Sequence, residues 1–182
     1  MPAPPRPKRP VSSVAKKDKL QKSNAMRELE RGGVAYEAIT FEEPDPTGVS
    51  DLGVRIANML GYAPEQGFKT LVCVTPAGGH VVCCVPSGDE LDLKTAAAAA
   101  GEKSLSLMHV RDLEPTTGYV RGGCSPVGMK KQFPTLIDET AQLFDDIYIS
   151  GGRLGLTLKL DPEELVSFLG ATLADICRED LK

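Results

Sequence analysis

Two features of this chain have the residue types and spacing for chemistry: a lysine at the head of an apolar strand, and a glycine-rich loop that carries two more lysines. Lys69 opens "KTLVCV", a run too apolar to face water along its length. Its amine therefore either snorkels to solvent or points into a pocket. Gly122, Gly123 and Gly128 lie in "GGCSPVGMKKQFPTLID", residues 122–138. Glycines allow close approach of the backbone and unusual φ, so main-chain N–H groups there can face an anion or a carbonyl oxygen. Lys130 and Lys131 add charge suited to phosphate. The alternative for the same segment is a mobile surface turn.

The usual hydrolytic groups are missing from the pattern. There is no GxSxG elbow. His80 opens one strand-like run and His109 ends another, and neither sits in a motif. Cys124 lies in the glycine loop, but no base accompanies it in the sequence. The cysteines, at 73, 83, 84, 124 and 177, are odd in number and form no CxxC pair, which argues against a disulfide framework and for a reducing cytosol. Cys83 and Cys84 are neighbours in a strand and so point to opposite faces, and the His80–Cys83 spacing has no second ligand pair. Neither a metal nor a cofactor is expected.

The elements that must position these residues alternate between hairpins and helices. "SNAMRELERGG" predicts a helix capped by Ser23 or Asn24 and stopped at Gly32-Gly33. "VAYEAITFEE" alternates like a half-buried strand. "SDLGVRIANMLGY" is helical, with Leu52, Ile56, Met59 and Leu60 on its core face and Gly61 at its end. "KTLVCVT" and "HVVCCVP" form a hairpin around Pro76–Gly79, and "DIYIS" with "LGLTLKL" forms a second around Gly151-Gly152. "LDLKTAAAAAG" is a helix, "SLSLMHV" a strand, "RDLEPTTG" a turn region and Pro134 to Asp138 a strand. The closing "DPEELVSFLGATLADICRED" reads as a helix capped by Asp161, its stripe formed by Leu165, Phe168, Leu169 and Ile176. Such a mixture, without regular βαβ alternation, indicates a single α+β domain with a mixed or antiparallel sheet flanked by helices.

The formal net charge of −4 hides an asymmetry. Residues 1–22 hold seven basic side chains against Asp18 alone, a net of +6, which leaves −10 on the remainder. A basic, Pro-rich arm over residues 1–21 reads as disordered, followed by a folded domain over 22–182. No apolar run approaches the ~20 residues of a membrane span, and no signal-peptide core is present, so a soluble cytoplasmic protein is expected.

Taken together, "FKTLV" (68–72), "ELDLK" (90–94), "TGYVRGGCSPVGMKKQFPTLID" (117–138) and "IYISGGRLGL" (147–156) resemble the YbaK/EbsC family of free-standing aminoacyl-tRNA deacylases, relatives of the editing domain of prolyl-tRNA synthetases. The resemblance implies an α+β domain with a curved mixed sheet and a cleft for the aminoacylated 3′ end of tRNA. It implies clearance of mischarged tRNA, Cys-tRNA(Pro) above all, with prolyl-tRNA synthetase as a partner. By motif, the family's essential lysine corresponds to Lys69 and its GxxxP loop to Gly122–Pro126. Catalytic roles then fall to Lys69, Gly122 and Gly123. Substrate contacts fall to Cys124, Ser125, Pro126 and Gly128 in the loop, and to Phe41, Ser150, Gly151, Gly152 and Thr157 around the "SGG" hairpin. Lys130 and Lys131 would meet the tRNA backbone. Two positions depart from the YbaK branch: Phe41 stands where that branch has tyrosine, and Thr157 where it has an acid.

The family's cysteine chemistry accounts for the missing nucleophile, because the thiol of the attached cysteine attacks its own ester. Two rivals remain open: water-mediated hydrolysis of Ala- or Ser-tRNA, and a non-catalytic module binding tRNA ends or a synthetase. An acidic body should bind tRNA weakly by itself, since affinity comes largely from neutralised phosphates. Either the arm or a synthetase supplies the rest. Deleting residues 1–21 separates them, because unchanged activity and salt dependence would exclude the arm.

Overall fold

The computed structural model describes residues 20–43 and 51–178. The expected arm therefore lies almost wholly outside the described residues. Leu20 already packs against the core, and Lys22 pairs with Glu30 at 2.8 Å. Five helices and eight strands follow: α1 (Asn24–Arg31), β1 (Tyr36–Thr40), α2 (Leu52–Leu60), β2 (Phe68–Val74), β3 (His80–Pro86), α3 (Leu93–Ala100), β4 (Ser106–Leu107), α4 (Val110–Thr117), β5 (Thr135–Asp138), β6 (Ile147–Ser150), β7 (Leu156–Leu160), α5 (Pro162–Leu169) and β8 (Thr172–Ala174).

Both expected hairpins form. β2 and β3 pair antiparallel from Phe68↔Pro86 to Val74↔His80, and β6 pairs with β7 from Ile147↔Leu160 to Ser150↔Thr157. The strands make a three-stranded sheet, β1-β7-β6, and a five-stranded one, β4-β2-β3-β5-β8. β5 runs parallel to β3 and to β8, so the second sheet is mixed. A parallel bridge, Gly67↔Tyr148, joins the two sheets where β2 begins beside β6. This is the α+β architecture with a curved mixed sheet that the sequence leads one to expect.

Two cores flank the sheet. The larger holds Met26 and Leu29 of α1, Phe68, Val72, Val82 and Cys84, and the alternating Ile147, Ile149, Leu156, Leu158 and Leu160 of the second hairpin. The smaller lies on the other face, under α3, and contains Cys73, Val81, Cys83, Val85, Ala96, Ala97 and Ile176. Buried Ala96 and Ala97 show why the alanine run is useful: short side chains let α3 lie close to the strands.

Four local expectations need correction. The "RDLEPTTG" stretch is helical, not a turn, despite Pro115. In so short a helix Pro115 forgoes a single main-chain bond, and Thr117 Oγ1 donates to the Leu113 carbonyl at 2.8 Å, closing the last turn. "SLSLMHV" pairs over only two residues, Ser106 and Leu107, at the sheet edge. The final segment is not one helix: α5 stops at Gly170, and β8 then pairs beside β5, so Ile176 enters the smaller core from a loop. Met59 is 51% exposed, since α2 buries Ala57 and only half-buries Leu52, Ile56 and Leu60.

The last strand is fixed in place by Asp138. Its buried carboxylate accepts from Thr140 N at 3.1 Å and Thr140 Oγ1 at 2.7 Å through Oδ1, and from Ile176 N at 3.1 Å through Oδ2. Burial alone would raise its pKa, but these donors prevail and hold it below the ordinary carboxylate value. A depressed folded pKa contributes stability that is complete above the unfolded value and is lost as pH falls through the folded one. Asp138→Asn should cost about 1–3 kcal/mol in chemical denaturation at neutral pH, because its amide must face one of the same donors. It should also flatten the loss of stability below about pH 4. A variant as stable as the parent with an unchanged acid limb would refute this role.

Candidate active site

The alternation of the strands decides which side chains share a face. Lys69 lies opposite Val85, Leu71 opposite Cys83, and Cys73 opposite Val81. Those partners point into the smaller core, so Lys69 shares their side of β2. On β6 and β7 the residues pointing into the larger core are Ile147, Ile149, Leu156 and Leu158. Tyr148, Ser150 and Thr157 therefore face the other way, to the same side as Lys69. The Gly67↔Tyr148 bridge sets the register between β2 and β6, and two residues further along each strand stand Lys69 and Ser150. Ser150 in turn opposes Thr157, and Thr157 opposes Ile39, two residues before Phe41. Lys69, Ser150 and Thr157 thus form a row on one side of the junction between the two sheets, which the Gly67↔Tyr148 bridge holds together.

The glycine loop closes one end of this row. Gly122 has φ of 85°, and a Cβ there would stand 2.9 Å from Leu154 Cδ2 and 3.1 Å from Leu52 Cδ2. Gly123 approaches the opposite turn more closely still: a Cβ would lie 2.9 Å from Arg153 Cα and 3.1 Å from Leu154 N. Loop and turn are locked together by Tyr119. Its hydroxyl donates to the Val127 carbonyl at 2.6 Å, and its ring lies where a Cβ on Gly152 would come within 2.9 Å. Gly152 N donates to Ser150 Oγ at 3.2 Å, and Gly151 N to the Leu156 carbonyl at 2.9 Å. Phe41 N donates to the Gly155 carbonyl at 3.0 Å, which brings the end of β1 to the same turn. The first turn of α2 covers the other side: a Cβ on Gly53 would meet Ser87 Oγ at 2.7 Å, just past the end of β3.

The expected donors are partly redistributed. Gly123 N–H is already used, donating to the Val120 carbonyl at 3.0 Å to close a turn, so the role of a free donor expected for Gly123 does not hold. Among the described residues, the N–H groups of Gly122, Cys124 and Ser125 donate to no acceptor, and Cys124 and Ser125 are buried. Buried main-chain donors without a protein partner are rare and are satisfied by water or ligand. Pro126, buried beside them, has no N–H to offer. Gly128 serves packing: a Cβ there would come within 2.7 Å of both Ala25 N and the Tyr119 hydroxyl. Lys130 turns back onto α4, donating to the Pro115 carbonyl at 3.3 Å with its stem along Gly118, and Lys131 is exposed.

The titratable groups fit a site without its own nucleophile. Burial pushes the Cys124 thiol up to about 12, with Thr117 opposing, so it stays protonated at neutral pH. His80 packs edge-on to Phe133 at the far end of β3, and exposed His109 caps α4. Burial lowers the Lys69 pKa, while Glu90 and Asp89 hold it up in part. No group of three or more His, Cys, Asp or Glu among the described residues is placed to hold a metal, and no helix there is long and apolar enough to cross a membrane.

Residues 49–168 match the family model described as the aminoacyl-tRNA editing domain. The chain belongs to this aminoacyl-tRNA editing family. The chain is 42% identical over 167 residues to a protein of Enterococcus faecalis (strain ATCC 700802 / V583) assigned by name as Cys-tRNA(Pro)/Cys-tRNA(Cys) deacylase EbsC, a match covering 92% of this chain and 100% of the relative. Among solved structures it is similar to one assigned as a trans-editing enzyme for prolyl tRNA synthetase, with TM-score 0.71 and 25% identity, covering 85% of this chain and 95% of that one. The hypothetical protein APE2540 shares the fold, with TM-score 0.77 and 24% identity over 86% of this chain and 100% of that one.

Sequence reasoning missed Tyr119, Leu52, Leu154 and Ser87 as builders of the site. Tyr119 carried a signal, a lone aromatic at the head of a glycine-rich loop; the other three are brought in only by tertiary contact. The lowered Lys69 pKa has a measurable consequence. Its folded charge is penalised, so stability should increase as pH rises from the folded pKa to the unfolded value. In competitive amine labelling Lys69 should titrate below the exposed lysines, and titration together with them would rule out the buried environment.

Proposed function

We propose that this editing domain is a trans-acting deacylase that removes cysteine from mischarged tRNA(Pro), working in the cytoplasm beside prolyl-tRNA synthetase. The observation that carries the reading is the run of unpartnered N–H groups at Gly122, Cys124 and Ser125, at the end of the Lys69–Ser150–Thr157 row. Such donors suit an ester carbonyl whose oxygen gains negative charge. The thiol of the esterified cysteine attacks its own carbonyl carbon, forming a C–S bond. The C–O bond to the terminal ribose then breaks, and the thiol proton ends on the ribose hydroxyl. A cyclic thiolactone leaves, and water later opens it to cysteine, so the protein acts as a lyase at this step. An intramolecular nucleophile already in position is worth about 7–11 kcal/mol. A free thiol with pKa ~8.5 is ionised enough near neutrality to react.

Lys69 orients the terminal adenosine or its phosphate, and the partly desolvated amine favours an anionic partner. Ser150 and Thr157 lie along the path of the aminoacyl group, Thr157 offering a neutral hydroxyl where the YbaK branch has an acid. The five buried cysteines, none of them in a disulfide, suit a reducing compartment.

A panel of Cys-, Ala- and Ser-charged tRNA(Pro), with and without prolyl-tRNA synthetase, tests the reading. Cys-tRNA(Pro) should be cleared while the thiol-free esters persist, and Lys69→Ala should lower the rate on the order of 10²-fold. Equal clearance of Ala-tRNA would replace the thiol mechanism by attack of water. Near-normal deacylation by Lys69→Ala would remove the role given to the lysine.

A further inference from the structure

The acidic body leaves open which groups meet the phosphates of the RNA, and Lys130, turned back onto α4, is poorly placed for it. Three arginines surround the glycine loop instead. Arg153 belongs to the turn whose backbone lies against Gly123, at 2.9 Å from a Cβ placed there. Arg121 directly precedes Gly122 in the chain. Arg55 stands one turn beyond Leu52 on α2, on the face that meets Gly122 through Leu52 Cδ2, since residues three apart are neighbours on a helix. Among the described residues none of the three makes an ion pair or a side-chain hydrogen bond. Arg55 and Arg121 are exposed, and Arg153 is half-buried. Asp51, one turn before Arg55, and Glu43, whose stem lies along Gly155, pair with none of them.

We infer that Arg55, Arg121 and Arg153 form a phosphate clamp at the mouth of the glycine loop, holding the single-stranded 3′ end of an RNA so that its terminal ester reaches the free N–H groups. Three unpaired guanidinium groups from three separate segments are unusual on a body carrying net −10 outside residues 1–22, where carboxylates are in excess. Guanidinium is also the side chain best shaped for paired hydrogen bonds to phosphate oxygens. The RNA then enters across the Gly122 side of the row, away from Lys130 and Lys131. This inference rests on the proposed deacylase reading for the identity of the ligand, but not for its chemistry.

The probe is an uncharged single-stranded RNA hexamer ending in CCA, binding the full chain, with affinity followed against salt. Each of Arg55→Gln, Arg121→Gln and Arg153→Gln should reduce the slope of log affinity on log salt by about 0.7, and the triple variant should bind on the order of tenfold more weakly at low salt. Arg→Lys at the same positions should keep most of the slope. Lys94→Gln on α3 serves as a surface control, and thermal unfolding confirms that the exposed substitutions leave the fold intact. A slope untouched by the arginine variants, or one lost instead with Lys130→Gln and Lys131→Gln, overturns the clamp. Arginine-dependent hexamer binding by a protein that clears no aminoacyl ester would support the clamp and refute the deacylase reading. Ester clearance with an arginine-independent slope would do the reverse.

Discussion

The close approach of two glycine-bearing turns is the constraint on which the rest of the site depends. Gly123 meets the Arg153-Leu154 backbone at a distance that leaves no room for a Cβ, and Gly122, with φ of 85°, packs against the Leu154 and Leu52 side chains. Tyr119 braces the contact, its ring against Gly152 and its hydroxyl on the Val127 carbonyl. Because the turns touch through backbone, the wall they form is stiff, and its main-chain donors are fixed before any ligand arrives. Preorganised donors of that kind cost nothing to orient at the moment of reaction.

The sheet supplies the other half of the arrangement. A period of two gives each strand a greasy side and a free side, and the greasy sides of β6 and β7 are committed to the larger core. Packing of Ile149 and Leu158 therefore determines where Ser150 and Thr157 point. Lys69 reaches the same side because Phe68 and Val72 are committed likewise. Core packing and site geometry are thus one decision taken twice. A one-residue slip in either hairpin would turn the row inward and carry leucines into the cleft.

Much of this was legible in the residues. Caps at Ser23 and Asp161 and the stops at Gly61 and Gly101 are local chemistry, and the structure uses each of them. Both hairpins follow from apolar alternation around glycine turns. Family membership followed from four short blocks in order. Illegible were features settled by distant partners. β8 exists because β5 offers it an edge, so "GATLADIC" looked like a continuing helix. Met59 sits on the apolar stripe of α2 but faces outward, since that helix fully buries Ala57 alone. Gly123 looked equivalent to Gly122 until Val120 claimed its N–H. The row of Lys69, Ser150 and Thr157 needs the register between β2 and β6, which no local pattern encodes.

That register has a kinetic meaning. The bridge that sets it joins residues about 80 positions apart, Gly67 and Tyr148, and such long closures form late because their entropy must be spent before other contacts reward it. A nascent or half-folded chain has the glycines and the lysine, but not the register that brings Lys69 beside Ser150 and Thr157. Competence therefore arrives all at once, with the last strands in place. For a protein whose substrate differs from the legitimate intermediates of translation by one side chain, a gradual onset would be hazardous. Late assembly withholds reactivity until the shape that discriminates is complete.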